Sequence, residues 1–380
     1  MKLKQLIAVK KGKKEALCTE HSANKIRYLQ IEDLRSDNNL KYCEIGKNIL
    51  AEKNDILIAW DGANAGTVGN NLQGAVGSTL AILRPDNSKV YSPYLSYFLK
   101  TKSKYLRSRS KGATIPHLSR EALDNLEINL PLLPIQVEYS NKLDRIDKLI
   151  EKRQLSIKKL DELLQSVFYD MFGDIKSNSK KWKLDKVGNY IDLLTGYPFG
   201  SKNYSSNITD TKICGGLIIY PDFIDWSKAN YWPKANNNDL KKYYLNQNDI
   251  VMALDRPWIN AGFKIAMINK DDIPSLLIQR TARIRAIEIN HFYLYNIFKD
   301  ITFKKHCKPT ETTVPHISPN DIREFVIPLP PRELQDKFEK TAQSILKQKK
   351  NLTISLNEIE SLFKSLLHQS LNADTKQYAN

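Results

Sequence analysis

The sequence predicts an α+β chain: two β-rich globular units and two long coiled-coil helices, laid out as one unit written twice. Three observations predict this. Residues 114–119 read TIPHLS and residues 313–318 read TVPHIS, 199 positions later in a chain of 380. With that shift, residues 113–172 align with 312–371 without a gap: Pro131 meets Pro330, Gln136 meets Gln335, and Leu163 meets Leu362. Both long segments then carry a seam spaced alternately three and four residues apart, the signature of a coiled coil. The stretches before them hold short β-rich runs bounded by Gly, Pro, Asn or Asp, which read as strands and turns. Two copies are too few for a solenoid, which needs at least ~3.

The first copy opens on MKLKQLIAVKKGKK, whose apolar run is too short for a secretory signal. NDILIAWD (54–61) and LAILRP (80–85) read as strands. Between them, DGANAGTVGNNLQGAVG holds five of the chain's 15 glycines. Glycine admits positive φ and lets the backbone approach a ligand closely. This loop therefore suits a nucleic-acid contact, with Asn64, Asn70, Asn71 and Gln73 as polar readers; a set of tight turns is the alternative. PYLSYFLKTKSKYLRSRS is helical in period. Ser119 then stands where a helix N-cap is wanted. The first long seam runs Leu143, Ile146, Ile150, Arg153, Ile157, Leu160, Leu164, Val167, Met171. A helix of ~37 residues is ~55 Å long.

The second copy repeats these signals. KLDKV (183–187) echoes KLKQL, and NDIVMALD (248–255) echoes NDILIAWD at a shift of 194. FKIAMI and RTARIRAIEI read as strands. At the second junction Ser318 is an N-cap, Pro319 falls at N1 and Asp321 at N3. The second seam runs Ala342, Ile345, Lys349, Leu352, Leu356, Ile359, Phe363, Leu366, Ser370. Arg153 and Lys349 interrupt the seams; such residues either fix register or snorkel to solvent. The chain divides as 1–133, 134–175, 176–331 and 332–373, globular unit and helix in alternation.

The formal net charge is +16 and the pI about 9.4, which points to a polyanionic partner, nucleic acid first. The excess is local. Residues 1–111 hold 20 Lys/Arg against 10 Asp/Glu and residues 180–310 hold 20 against 12, whereas residues 134–172 hold 7 of each. A generic solvated surface would spread it evenly; clustering on the globular units predicts that both bind nucleic acid. The densest cluster is Lys100, Lys102, Lys104, Arg107, Arg109 and Lys111, suited to neutralising phosphates. In the second unit the candidates are Lys304 and Lys305, then Arg283 and Arg285 on one strand face. Arg256, Arg280 and Gln279 have base-reading chemistry, since Arg reads guanine and Gln reads adenine.

Several classes are excluded. No apolar run approaches the ~20 residues that cross a bilayer. The four Cys contain no CxxC pair, which argues against a zinc site or disulfide framework and fits a reducing compartment. There is no phosphate-binding G-x-x-x-x-G-K-[ST] loop, no G-x-S-x-G and no H-E-x-x-H. His117 and His316 show no partner acid, Ser or Cys at a motif spacing. They are expected to be hydrogen-bonded junction residues and not catalysts. No catalytic residue and no metal ligand is assigned.

Two variable β-rich units, each followed by a helix behind a Pro-rich phrase, resemble the specificity subunit of type I restriction–modification systems. The phrases that carry the resemblance are TIPHLS…INLPLLPIQ and TVPHIS…IPLPPRELQ. The first copy lacks the usual Glu before its Gln. The resemblance implies that each globular unit is a target-recognition domain reading one half of a bipartite double-stranded DNA site. It implies that the helices pack antiparallel, related by a pseudo-twofold, and act as a ruler between half-sites. It further implies two modification subunits that dock on the helices and methylate adenine, and restriction subunits that translocate and cleave. S-adenosylmethionine, ATP and Mg would belong to those partners, with no cofactor bound here, in the cytoplasm. The alternative is a stand-alone two-headed DNA-binding regulator or architectural protein.

Overall fold

The computed structural model describes residues 1–18, 24–110, 112, 116–233, 238–307 and 315–372. Two units emerge: Met1–Leu155 with the chain from Thr353 onward, and Ser156–Leu352. Each globular unit is mixed α and β, as the sequence predicts.

Unit 1 is built on an antiparallel sheet of β1 (Ile7–Lys11), β8 (Leu80–Pro85), β5 (Ile56–Ala59) and β6 (Val68–Asn70), in that order. A second sheet orders β3 (Tyr42–Glu44), β2 (Lys25–Leu29), β7 (Gly74–Val76) and β4 (Leu50–Ala51), with β2 and β7 parallel. All four residues of β5 are buried. A strand alternates its side chains between two faces, so a strand buried on both must be covered on both. Ile56 and Ile58 join Tyr94, Leu95 and Phe98 of α1 (Ser92–Ser108). Leu57 and Ala59 join Leu29 and Val76 of the second sheet. The short helix α2 (Arg120–Asp124) is capped by Ser119, whose hydroxyl accepts from the Ala122 N–H at 3.2 Å.

Unit 2 repeats this plan. Its main sheet orders β10 (Ile191–Thr195), β20 (Thr281–Ala286), β15 (Ile250–Ala253) and β18 (Ile265–Met267). The register is conserved between the copies: Ile58 opposes Ala81 and Val68, and Met252 opposes Ala282 and Ile265. Ile250 and Met252 face α4 (His291–Lys299), while Val251 faces the other way. Beyond that face, β11 (Thr211–Cys214) lies between β14 (Asn230–Trp232) and β19 (Ser275–Leu277). Two hairpins, β12 (Ile219–Tyr220) with β13 (Phe223–Ile224) and β16 (Trp258–Ile259) with β17 (Gly262–Phe263), add to the unit. So do α5 (Ile301–His306) and α6 (Pro319–Arg323). Ser318 caps α6 in a reciprocal box with Asp321. The strand β21 (Val326–Leu329) then pairs with β9 (Lys183–Lys186).

The long helices are α3 (Leu133–Phe172) and α7 (Arg332–Asn372). Within unit 2, Phe168 and Phe172 near the end of α3 pack on Phe338 near the start of α7, at 5.4 and 5.3 Å between ring centroids. Further back on α3, Asp161 takes the Lys349 ammonium at 2.5 Å. Moving back along one helix moves forward along the other, so the pair is antiparallel. Lys349 thus interrupts its seam to reach across to the other helix. In unit 1, the Arg153 Nε–H is buried and donates no hydrogen bond among the described residues.

Each helix entry is clamped by a buried glutamine. In unit 1, Gln136 Oε1 accepts from the Tyr91 N–H and its amide donates to the Pro131 carbonyl, both at 2.8 Å. In unit 2, Gln335 does the same with the Asn290 N–H and the Pro330 carbonyl, again both at 2.8 Å. Gln136→Leu keeps the volume and strands both backbone groups. An unmet buried donor or acceptor costs roughly 1–3 kcal/mol, so a loss of about 2 kcal/mol is expected. A lower urea midpoint at unchanged slope would register it.

Candidate nucleic-acid interface

The loop between β5 and β6 is fastened to the end of α1. Gly66 has φ +83°, and a side-chain carbon there would sit 3.1 Å from the Ser103 carbonyl oxygen and 3.3 Å from Leu106 Cβ. That close approach is why the loop needs glycine at this point. Arg107 Nε donates to the Ala65 carbonyl at 3.3 Å. The cation nearest the loop therefore also holds it.

On α1 the basic residues divide by helical geometry. Lys100, Lys104 and Arg107 are spaced four and three apart and share one face; all three are exposed. Lys102 and Arg109 point to the opposite side. Lys102 lies over the Phe98 ring and lines a groove with Glu127, Lys364 and His368. Arg109 lies over the Tyr105 ring. Lys111 falls outside the described residues. The two polar readers also part: Asn64 lies in the loop before β6 and accepts from Arg35 at 2.7 Å, while Gln73 is exposed in the turn after β6.

In unit 2, Arg256, Gln279 and Arg280 are exposed. Arg280 reaches Asp255 at 3.3 Å, and the Leu254 N–H donates to the Arg280 carbonyl. Arg256 follows Asp255 with φ +46°, and Arg280 has φ +62°. A left-handed backbone is strained for any residue but Gly, and such strain gathers at functional sites. The repeat puts Gly62, at φ +89°, where unit 2 has Arg256. Unit 2 accepts strain where it presents a cation. Lys304 lies over the Trp258 ring at 5.7 Å, with Lys305 exposed beside it. Lys264 is buried, and burial first, then the Arg256 charge, lowers its pKa.

Arg283 and Arg285 do share a face of β20, but that face is occupied. Arg283 is only 4% exposed and its guanidinium is paired with Asp192. Arg285 makes two bonds to Asp249, at 2.7 and 2.8 Å. Strand alternation tells which residues share a face and not which face is covered. Unit 1 has the same pair: Arg84 holds Asp55 through two bonds at 2.8 and 2.7 Å.

The junction histidines are hydrogen-bonded, as expected, and each bonds an acid that no motif spacing marks. His117 Nδ1 lies 2.6 Å from Asp61 Oδ1, and His316 Nδ1 lies 2.6 Å from Asp255 Oδ1. The partners are 56 and 61 residues away in sequence, beyond any motif spacing. The signal was nonetheless present: Asp61 and Asp255 end the two echoing phrases NDILIAWD and NDIVMALD. A cation completes each pair. Lys11 sits on the other Asp61 oxygen at 2.9 Å, and Arg280 on that of Asp255. Burial pushes Asp61 up, yet bonds from His117 and Lys11 outweigh it and hold the carboxyl below its usual range. Among the described residues, no cluster of three or more His, Cys, Asp or Glu can hold a metal ion. None of their helices is long and apolar enough to cross a membrane. The arrangement can grip a polyanion at one loop end of each unit.

Comparison with known proteins agrees with the resemblance. Residues 1–160 match the model of the type I restriction modification DNA specificity domain. The chain is 28% identical over 353 residues to the type I restriction enzyme MjaVIII specificity subunit of Methanocaldococcus jannaschii, covering 88% of this chain and 83% of that protein. It is 31% identical over 160 residues to the EcoAI specificity subunit of Escherichia coli, covering 41% of this chain and 27% of that one. In fold it is similar to the crystal structure of a type I restriction–modification S subunit from M. genitalium. That match has a TM-score of 0.64 at 16% identity, over 99% of this chain and 96% of the other. The chain is similar to type I specificity subunits in sequence and in fold.

Proposed function

We propose that this chain is the DNA sequence-specificity subunit of a type I restriction–modification complex. It reads a bipartite double-stranded target, one half-site per globular unit. The observation that carries the reading is the repetition of one exposed site on two copies of one fold: an Asp–His pair with a cation, at the same loop end of the same sheet. A protein that reads one DNA segment needs one such site. A chain that presents two suits a target read in two halves.

The chain itself is non-catalytic. Two modification subunits dock on α3 and α7 and methylate adenine with S-adenosylmethionine; restriction subunits use ATP and Mg. The complex works in the cytoplasm. The seam of α3 and α7, with the Lys349–Asp161 pair across it, supports a rigid ruler between the half-sites. DNA contact falls to Lys100, Lys104, Arg107 and Asn64 in unit 1, and to Arg256, Gln279, Arg280, Lys304 and Lys305 in unit 2. These residues are exposed or half-buried on their own units, which supports the assignment.

Co-expression with its modification subunits in a host lacking adenine methylation, followed by base-resolved methylation mapping, tests the reading. The expected result is one bipartite motif with a fixed gap, absent when either partner is omitted. Failure of the chain to co-purify with a methyltransferase would instead favour the stand-alone regulator.

A further inference from the structure

The Asp–His pairs do more than close the fold. Backbone hydrogen bonds already tie each junction to its strand end. In unit 1 the Gly62 N–H donates to the Pro116 carbonyl and the Leu118 N–H to the Trp60 carbonyl, both at 2.8 Å. In unit 2 the Arg256 N–H donates to the Pro315 carbonyl and the Ile317 N–H to the Leu254 carbonyl, both at 2.9 Å. The histidine side chains are 56% and 53% exposed, and ion pairs so exposed add little to stability. Yet the pair stands at the same place in both units, while the cation beside it changes origin. Lys11 comes from β1, whereas Arg280 precedes β20. What the two copies share is an imidazole pinned by Nδ1. Its Nε2 makes no hydrogen bond among the described residues.

The geometry points to His117 and His316 as matched DNA contacts, each donating Nε2–H, in the imidazolium form, to a backbone phosphate of the half-site its unit reads. This rests on the DNA-specificity reading above. The carboxylate takes the Nδ1 proton, fixes the ring plane and leaves the second nitrogen outward. A charge-assisted bond to phosphate then needs both ring nitrogens protonated. Among the described residues, the charged groups facing His117 are Asp61 and Lys11, and those facing His316 are Asp255 and Arg280. Arg256 lies next along the chain from Asp255.

His117→Asn and His316→Asn test this, because the Asn amide nitrogen can take the place of Nδ1 on the carboxylate while nothing replaces Nε2. Affinity for a mixed-sequence duplex is measured by fluorescence anisotropy at constant salt and pH. Each variant should keep the wild-type melting temperature and lose about tenfold in affinity, in line with one charge-assisted bond. The double variant should lose more than either single variant. Wild-type affinity in the double variant would overturn the proposal, as would an affinity loss that merely follows a lower melting temperature. A wild-type chain that binds no duplex would overturn the DNA reading itself, and this inference with it.

Discussion

Reversing Lys100, Lys104 and Arg107 to Glu together lowers affinity for any duplex by about 10²–10³-fold near physiological salt. Each neutralised phosphate releases condensed counterions and contributes a slope of about −0.9 to the log–log salt dependence. Three lost contacts should therefore flatten that slope by roughly 2 to 3. The three cations share one exposed face of α1 beside the glycine-rich loop, so they act on one stretch of backbone. Lys102 and Arg109 serve as controls from the same helix. They point the other way, one over Phe98 and one over Tyr105, and their reversal should change affinity less than about threefold, as for charges off the contact face. Because Arg107 also holds the Ala65 carbonyl, the Lys100/Lys104 double variant isolates charge from loop anchoring. Titration of each variant against a mixed-sequence duplex at several salt concentrations decides the matter. Equal losses from the two faces would refute the assignment, as would a change confined to base preference.

The sequence places Lys100, Lys102, Lys104, Arg107 and Arg109 in one cluster, and the helix that divides them shows where sequence reading stops. The run KTKSKYLRSRSK is visible as charge, but its division into two faces depends on where α1 packs. The same holds for Arg283, whose strand and facing are legible while its covering by Asp192 is not. Local signals are legible in the sequence. Ser119 and Ser318 cap their helices, and the doubly buried strands β5 and β15 are the two echoing phrases. The antiparallel packing of α3 and α7 also agrees with the resemblance. Non-local pairings escaped. The parallel pairing of β2 with β7 leaves no periodic mark. Nor do His117 and Asp61, brought together from 56 positions apart by chain topology and not by spacing.

The echoing phrases each hold two aspartates, six residues apart, with opposite roles. Asp249 is 1% exposed; it accepts two bonds from Arg285 and one from the Asn246 N–H at 2.7 Å. Six residues on, Asp255 holds its histidine at the surface. Asp249→Ala leaves a guanidinium without its partner, 34% exposed, and a backbone N–H without an acceptor. The expected cost is about 3–4 kcal/mol, near the range for breaking a buried pair from one side. Asp55→Ala should cost less, about 2–3 kcal/mol, because Arg84 is 47% exposed and regains water more readily. Asp255→Ala should cost under about 1 kcal/mol, as exposed ion pairs do, while weakening DNA binding through a freed His316. Urea unfolding separates these outcomes. If Asp255→Ala destabilised as much as Asp249→Ala, the surface pair would be a structural clip and not a site. If Asp249→Ala cost nothing, the repeated Asp–Arg bond would have no part in holding β15 against β20. The two aspartates of one eight-residue phrase should therefore respond to the same substitution in opposite ways, one in stability and one in binding.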